Sequence, residues 1–426
     1  MKGENQLITR LNSLRPEWGG LLLIVFYTIL ALTNTIFPED ITDFTKAYYA
    51  GGKAVWEGNY DALTLLIEQA LFTNIPIIAK MFSPLAVFDS WTAGRIFTIV
   101  MILCTAGAYI LLAKRYCPKH RLLLLILFLI NGPLWYCLQL GNTTNAILFL
   151  FIVALILWEK GKGYVAGLLI GFCLVIKPFL MLIGLYFLLR RQWGIVLGAA
   201  TVGLSAAALS VAFFGLQMNL DWYEHCIAAF GGRPMGAFNV QSIGGFLMRL
   251  QTGRNFLWDW APRDLTPVFK FLHTAILFGL IAVTFWLIFG KRAKTSNPGT
   301  RVSPHDYLAF SMVLTLSLIS STVSWMHYYL LLLLPWALYL GGRLPLPNDK
   351  TNYYLILGSI ILCSIPLIEP YLGFGWWERQ IARSVVSIYL FGGILFLIAL
   401  GRAAAQNMLL SSSRSSTVSQ QFKKNR

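Results

Sequence analysis

The sequence predicts an all-α polytopic membrane protein, and two observations lead to this fold class. Hydrophobic residues make up 57% of the 426-residue chain and charged residues only 12%, whereas a soluble domain carries roughly 25% charged residues. Apolar runs of about 18 residues or more, each long enough to cross a bilayer, recur between residues 18 and 400. The intervals leave no room for a soluble domain of ordinary size, so we expect a single integral membrane domain over residues 1–402.

The net charge of +16 could indicate nucleic-acid binding, but the positions of the basic residues argue against it. Lys and Arg are concentrated in short loops that alternate along the chain with loops of nearly balanced charge. This is the positive-inside pattern of cytoplasmic loops. We therefore expect no nucleic acid among the partners and place both termini in the cytoplasm. The basic loops are residues 114–121, 159–163, 190–194 and 291–301.

The first apolar run, residues 18–37, is predicted to remain as a membrane helix rather than to be a cleaved signal peptide. It is about 20 residues long, and no small-residue cleavage site follows it before Pro38-Glu39-Asp40. The six cysteines are scattered without a CxxC pair and are interpreted as core residues. The five histidines show no metal-ligand spacing either, and we expect no metal and no other cofactor.

The remaining runs bring the expected total to about 12 transmembrane helices. Two larger external loops separate some of them, at residues 38–91 and 215–266. In the first loop, residues 60–72 carry apolar side chains at helical spacing, which predicts an amphipathic helix on the membrane surface. The tail at residues 403–426 is basic and Ser-rich, a composition typical of disorder. The further predicted spans are residues 91–113, 122–140, 146–158, 164–189 as two short helices, 195–214, 267–290, 307–321, 330–342, 352–367 and 385–400.

The apolar run at residues 164–189 is an anomaly, because it lies between two basic patches that both have cytoplasmic character. Lys177-Pro178 stands at its middle, and proline breaks a helix while its predecessor avoids the helical region. We interpret the run as two helices of about 13 residues, each roughly 20 Å long, with Lys177 at a tip near the outer leaflet. The alternative is one kinked span, which would move the basic loop at 291–301 outside.

Polar residues collect on the predicted external face, and ionisable groups at membrane depth usually share a cavity with a partner. We therefore expect one water-accessible site that opens outward. Asp43 follows the first helix closely and could take a proton from an acceptor hydroxyl, with Tyr48 in an aromatic shelf for a lipid-borne substrate. The polar residues on this face are Asp40, Asp43, Lys46, Asn142, Lys177, Arg233, Asn239, Gln241, Arg249, His327 and Glu369.

Several of these residues also have an ordinary structural explanation. Asp40 is better explained as a helix cap. Lys177 could be a snorkelling lysine, although its position before a proline at a tip favours phosphate binding. His327 stands in an aromatic interface belt, where a histidine can be structural. Arg249 is either an interfacial arginine or a partner of a lipid phosphate.

Five short motifs lie between residues 38 and 340, which is most of the chain. They are Asp43-Phe44 with Tyr48-Tyr49-Ala50, Ser83-Pro84, Ala166-Gly167-Leu168 leading to Lys177-Pro178, Asn239-Val240-Gln241-Ser242 with Arg249, and Trp325-Met326-His327-Tyr328-Tyr329. Together they resemble glycosyltransferase family 87, a group that contains polyprenol-phosphate-mannose-dependent mannosyltransferases of the GT-C type.

The resemblance implies a GT-C fold with surface helices in the first external loop and an active site at the extracytoplasmic face. It also implies an inverting transfer from a polyprenyl-phosphate sugar, without a metal. By position, Asp43 matches the catalytic aspartate of the family and His327 its active-site histidine. The chain departs from the family at Gly141-Asn142, where Gly-Gln is frequent before the fourth helix, and this bears on the role of Asn142 and on sugar specificity.

Elementary chemistry agrees with this resemblance. A lipid phosphate is a good leaving group, so an inverting displacement needs one base and a cation for the departing phosphate. We predict Asp43 as the base and Lys177 and Arg249 as the phosphate ligands. The other expected substrate contacts are Asn239, Gln241, Tyr48 and Asn142.

The resulting hypothesis is a hexosyltransferase of the cell inner membrane, with mannose as the expected hexose and a glycolipid or glycan as acceptor. Membrane lipids and a polyprenyl-phosphate sugar are its expected partners. Two alternatives stay open. A transporter or flippase of a lipid-linked sugar predicts broken helices at matching positions of internal repeats. A glycan polymerase or ligase needs a large loop late in the chain.

Overall fold

Helices packed side by side make up most of the described chain. In this structure, a computed structural model, the one strand-like pairing among the described residues is an antiparallel bridge between Val240 and Trp325. Asp40, Glu369 and the basic loop at 291–301 lie outside the described residues. The structure describes residues 15–33, 41–290, 302–366 and 375–424, with side chains to residue 408.

The α-helices are numbered in chain order. They are α1 (Pro16–Leu32), α2 (Ala50–Trp56), α3 (Tyr60–Glu68), α4 (Ile77–Phe82), α5 (Ser90–Arg115), α6 (Arg121–Ile130), α7 (Gly132–Leu140), α8 (Thr144–Glu159), α9 (Gly163–Ile176), α10 (Met181–Leu189), α11 (Trp193–Trp222), α12 (Ile243–Thr252), α13 (Pro267–Phe289), α14 (Pro304–Ser320), α15 (Leu333–Leu340), α16 (Lys350–Ser364), α17 (Trp376–Arg383) and α18 (Ile388–Lys424). Shorter π-helical and 3-10 turns are Phe44–Tyr49, Ser83–Val87, Pro178–Leu180, Tyr223–Ala228, Met326–Leu332 and Val385–Ser387.

The all-α class is confirmed, but the expected count of about 12 spanning helices is not. In the described ranges, four helices are long and apolar enough to cross a membrane, or five if the bent pair α6 and α7, which meet at 50°, is one span. The other apolar helices have 10–17 residues. In these ranges many apolar runs are therefore helices of fewer than 18 residues, because polar residues, glycine and proline interrupt them. The four long helices are Ser90–Arg115, Trp193–Ala228, Pro267–Phe289 and Trp376–Met408.

The break predicted at Lys177-Pro178 is present. Helix α9 ends at Ile176, a 3-10 turn covers Pro178–Leu180, and α10 begins at Met181. Helices α9 and α11 pack with their backbones close together, since a Cβ on Gly167 or Gly198 would collide with the opposite backbone. Small residues allow this close approach of apolar helices.

One end of the bundle is held together by ion pairs, and we call it the basic end. Arg115 donates to Glu159 (2.8 and 2.7 Å), and Arg190 pairs with Asp306 at 2.8 Å. Arg343 donates to the backbone oxygen of Arg115 at 3.3 Å. Tyr307, next to Asp306, donates to Glu159 at 2.7 Å, so these contacts bring the basic loops before and after the broken run to the same end, as the two-helix interpretation requires. That this end faces the cytoplasm stays a prediction.

Two predicted boundaries compare differently with the structure. Gly215 has φ +76° and kinks α11 where the second external loop is predicted to begin. Helix α18, in contrast, continues to Lys424 through most of the tail whose composition predicts disorder. Each residue added to an existing helix gains a hydrogen bond without a new nucleation cost, which explains how a polar tail can continue it.

Candidate active site

A cavity of about 570 Å³ lies at the end of the bundle opposite to the basic end. Asn142 precedes α8 and Lys177 follows α9, and the other ends of both helices lie at the basic end. Six of the eight residues predicted from the sequence to form the site line this cavity. They are Asp43, Tyr48, Asn142, Lys177, Asn239 and His327.

Asp43 is held at the start of a π-helical turn, Phe44–Tyr49. Such turns are rare and occur frequently at functional sites. Phe44 anchors the turn, because its ring is fully buried and stacks on Phe97 with 4.7 Å between centroids. Burial raises the pKa of the Asp43 carboxyl above its ordinary value, while the hydrogen bond from Asn142 and the charge of Lys177 oppose the increase. A carboxylate with a raised pKa is a stronger proton acceptor.

The turn after α7 places Asn142 beside this carboxylate. Gly141 has φ +68°, its N–H donates to Leu138 O (3.1 Å), and the N–H of Asn142 donates to Cys137 O (3.0 Å). This is the Schellman pattern that commonly ends a helix at a glycine. A Cβ on Gly141 would lie 2.7 Å from the Cβ of Phe44, so the absent side chain lets the two segments meet.

The Asn142 amide connects the carboxylate with a lysine. Its nitrogen donates to Asp43 Oδ2 at 2.7 Å, and its oxygen accepts from Lys177 Nζ at 3.0 Å. The N–H and hydroxyl of Thr144 donate to the same oxygen at 3.2 and 2.8 Å, which fixes the amide orientation. Asp43 and Lys177 are therefore joined through a neutral group.

The helix break explains why Lys177 reaches the cavity. As the residue before a proline it is non-helical, with φ −129° and ψ 79°, and only 5% of its surface is exposed. Asn74 Nδ2 donates to the Ile176 carbonyl at the end of α9 (2.9 Å). The ammonium group lies 4.8 Å from the ring centroid of Tyr328, a cation–π contact that helps to stabilise a buried charge.

Pairing between two loops brings Asn239 and His327 to the same wall of the cavity. Met326 N donates to Asn239 O (2.8 Å), and Gln241 N donates to Ser324 O (2.6 Å). Asn239 Nδ2 in turn donates to the hydroxyl of Tyr136 at 3.0 Å. Both ring nitrogens of buried His327 lack a hydrogen-bond partner within the described part of the chain. A buried polar group without a partner is costly, so this ring is suited to a bound substrate.

The remaining polar lining gives the cavity a positive charge. Lys46 is exposed there and has no hydrogen-bond or ion-pair partner among the described residues. With Lys177 it outnumbers Asp43, the one carboxylate that lines the cavity in the described part of the chain. Tyr48 is buried, stacks on Phe82 at 4.7 Å, and has its hydroxyl 3.4 Å from that of Thr143. The charge favours an anionic substrate group.

Gln241 and Arg249 do not reach the cavity, in contrast to the sequence prediction. Arg249 is fully buried and donates to the carbonyls of Ala237 (2.7 Å) and Val240 (2.9 Å), and to Ser387 Oγ (2.8 Å). Gln241 Nε2 donates to the carbonyls of Phe238 (2.8 Å) and Val386 (2.7 Å). Both side chains hold the loop that carries Asn239, because its carbonyls lack strand or helix partners.

Sequence reasoning also missed aromatic residues of the cavity. Tyr328 directly follows His327 in the Trp325–Tyr329 motif. The prediction of His327 as a site residue could therefore have identified Tyr328 as well. Trp258 and Trp260 are a Trp-x-Trp pair in the polar loop before α13. The aromatic lining of the cavity consists of Tyr48, Tyr136, Phe179, Phe238, Trp258, Trp260, Trp325 and Tyr328.

Membrane-length helices and a cavity that places a carboxylate beside lysines are typical of an integral membrane enzyme. Within the described ranges, no group of three or more His, Cys, Asp or Glu is arranged to hold a metal ion. The model of glycosyltransferase family 87 matches residues 72–315, more than half of the chain. The chain belongs to this family and is a membrane glycosyltransferase with sugar donor and acceptor substrates. Searches of curated proteins and of solved structures return no match.

Proposed function

We propose that this enzyme transfers a hexose from a polyprenyl-phosphate donor to an extracytoplasmic glycolipid or glycan, with inversion. Mannose is the hexose, and the enzyme acts in the cell inner membrane with its cavity on the outer face. Family membership supports a glycosyl transfer, and the lysines of the cavity support a phosphate-bearing donor. The bilayer around the helices accommodates the polyprenyl chain.

Asp43 acts as the general base. Its Oδ2 is engaged by Asn142, whereas Oδ1 has no partner among the described residues and is left for an acceptor hydroxyl. The acceptor oxygen attacks C1 of the hexose as its proton passes to Asp43. The bond between C1 and the phosphate oxygen breaks, and the bonding pair leaves with the polyprenyl phosphate. One displacement of this kind inverts the anomeric configuration.

Lys177 and Lys46 stabilise the phosphate as negative charge develops on it. Lys177 is positioned by the helix break and by Asn142, so little reorganisation is needed during the reaction. His327, with both nitrogens open, orients a substrate hydroxyl or a phosphate oxygen. The observation that carries this proposal is the connection of Asp43 to Lys177 through Asn142, which sets a base and a phosphate ligand in one cavity.

The test is transfer by purified enzyme reconstituted in lipid, with radiolabelled mannose, glucose and galactose each linked to a short polyprenyl phosphate. Lipids extracted from the producing cells serve as acceptors, and GDP-mannose replaces the donor as a control. We expect label to enter a new glycolipid from the mannose donor only, with inverted anomeric configuration by NMR. No transfer from any polyprenyl-phosphate hexose would contradict the proposal, and donor crossing the bilayer unchanged would favour a flippase.

A further inference from the structure

Two tryptophans present open aromatic surface to the cavity. Trp258 and Trp260 both line it, and each side chain is 43% exposed. They lie in the loop between α12 and α13, and their rings are 6.4 Å apart with an interplanar angle of 77°. Two large aromatic rings that remain this exposed at the cavity wall offer a surface for a bound ligand.

The two rings are held firmly in place. Trp260 Nε1 donates to Asn239 Oδ1 at 3.0 Å. Trp258 packs on Phe238 with 4.9 Å between ring centroids, and Phe238 N donates to Leu257 O at 2.9 Å. Phe238 and Leu257 are buried in a small apolar cluster with Ala382. Both rings are therefore fixed by packing or by a hydrogen bond, unlike a mobile tryptophan at a membrane interface.

A separate aromatic pair serves the part of the cavity near Lys177. Phe179 and Tyr328 stack with 4.2 Å between centroids and an angle of 12°, and Lys177 Nζ lies over the Tyr328 ring. Trp260 contacts Asn239 instead, and Trp258 packs on Phe238. The cavity thus has one aromatic wall at its phosphate-binding lysine and a second wall in the loop before α13.

An exposed indole face suits a hexose ring. One face of a hexose carries several C–H groups, which are apolar and slightly positive, and the face of an aromatic ring is slightly negative. We propose that Trp258 and Trp260 form a stacking platform for the hexose ring of the acceptor. This inference rests on the proposed function, in which Lys177 binds the donor phosphate and Asp43 takes the proton of the acceptor hydroxyl.

The kinetic test uses Trp258→Ala, Trp260→Ala and the double variant, with the Phe variants as conservative partners. Each Ala change should raise the acceptor KM by about 10-fold and leave the donor KM unchanged, whereas Phe should stay close to wild type. Trp286→Ala is the matched control, since this ring on α13 is 62% exposed and does not line the cavity. An unchanged acceptor KM in the double variant, or an equal rise in donor KM, overturns the platform.

A binding measurement separates this inference from the proposed function. Enzyme in lipid nanodiscs, free of sugar detergents, is mixed with methyl α-D-mannopyranoside or methyl α-D-glucopyranoside and studied by saturation-transfer NMR. We expect saturation of the ring C–H protons with wild type and its loss in the double Ala variant. Binding of this kind without any glycosyl transfer would contradict the proposed function alone. Equal saturation of both proteins, or none with wild type, would overturn the platform.

Discussion

The side-chain nitrogen of Asn142 lies 2.7 Å from Oδ2 of Asp43. Because the oxygen of the same amide accepts from Lys177, the carboxylate and the ammonium group share a neutral residue instead of a direct ion pair. The Asp43 carboxylate is thereby oriented by a hydrogen bond and makes no direct salt bridge with Lys177.

The first prediction concerns Asp43→Asn. The change preserves shape but removes the proton acceptor, so kcat should fall by about 10²–10⁴-fold, the usual contribution of general-base catalysis, while donor binding survives. His327→Ala should give a smaller loss. The measurement is hexose transfer in the reconstituted system. Asp61→Asn, on the exposed face of α3, is the matched control, and wild-type turnover by Asp43→Asn would refute the assignment.

The second prediction is a pH profile. The carboxyl must be deprotonated to act as a base, so kcat/KM should fall as the pH drops through the raised pKa of Asp43, above the range of a solvent-exposed aspartate. Asn142→Leu removes a hydrogen bond that lowers this pKa. Its acidic limb should therefore move to higher pH. The control is Gln217→Leu at an exposed position, which should leave the acidic limb of the kcat/KM profile unchanged. An acidic limb of Asn142→Leu that stays in place or moves to lower pH would contradict the role of Asn142 in lowering the pKa of Asp43.

The third prediction concerns the phosphate-binding lysine. Lys177→Ala removes a charged hydrogen bond worth about 1.5–3 kcal/mol, so donor use should fall roughly 10- to 150-fold. Lys53→Ala is the control, since Lys53 lies on α2 in an exposed pair with Glu57. Steady-state kinetics with varied donor provide the measurement. Unchanged donor kinetics in well-expressed Lys177→Ala would show that Lys177 does not bind the donor phosphate.

The fourth prediction separates Arg249 from the substrate. Arg249→Ala removes the guanidinium donor from the buried carbonyls of Ala237 and Val240. The Ala237 carbonyl keeps the N–H of Val240, whereas the Val240 carbonyl loses its donor at a cost of about 1–3 kcal/mol, so the thermal unfolding temperature should fall clearly. Arg249→Lys should not restore it, because an ammonium group cannot reproduce the planar, forked geometry of the guanidinium. Differential scanning fluorimetry checks the stability. If Arg249→Ala had the unfolding temperature of the wild type and a raised donor KM, Arg249 would be assigned to donor binding instead.

The fifth prediction concerns topology. Single cysteines in the loops at 114–121, 159–163 and 190–194, on a Cys-less background, should react with impermeant reagents from the cytoplasmic side only. A cysteine at Lys177 should react from the outside. Labelling of the 190–194 loop from outside would contradict the arrangement of α9 and α10 as a helix pair that returns to the basic end.

Local signals in the sequence predicted the parts of the site that local structure creates. Proline placed the break at Lys177, and the polar stretch after the first apolar run identified Asp43. Arg249 could not be assigned in this way, because one of its acceptors, Ser387, lies 138 residues away in sequence. An arginine that binds a phosphate and one that binds carbonyls have the same local pattern. The expected count of about 12 spans is not confirmed in the described ranges, because apolar composition does not report where a helix breaks.

The shared amide has a consequence for the order of events. The charge of Lys177 lowers the pKa of Asp43, so an anionic donor that compensates this charge increases the proton affinity of the carboxylate. By thermodynamic reciprocity, protonation of Asp43 and donor occupancy are then coupled equilibria. Donor binding should cause measurable proton uptake near the pKa of Asp43, and this uptake should be absent in Asp43→Asn. The base reaches its full strength only when a sugar is present to be transferred.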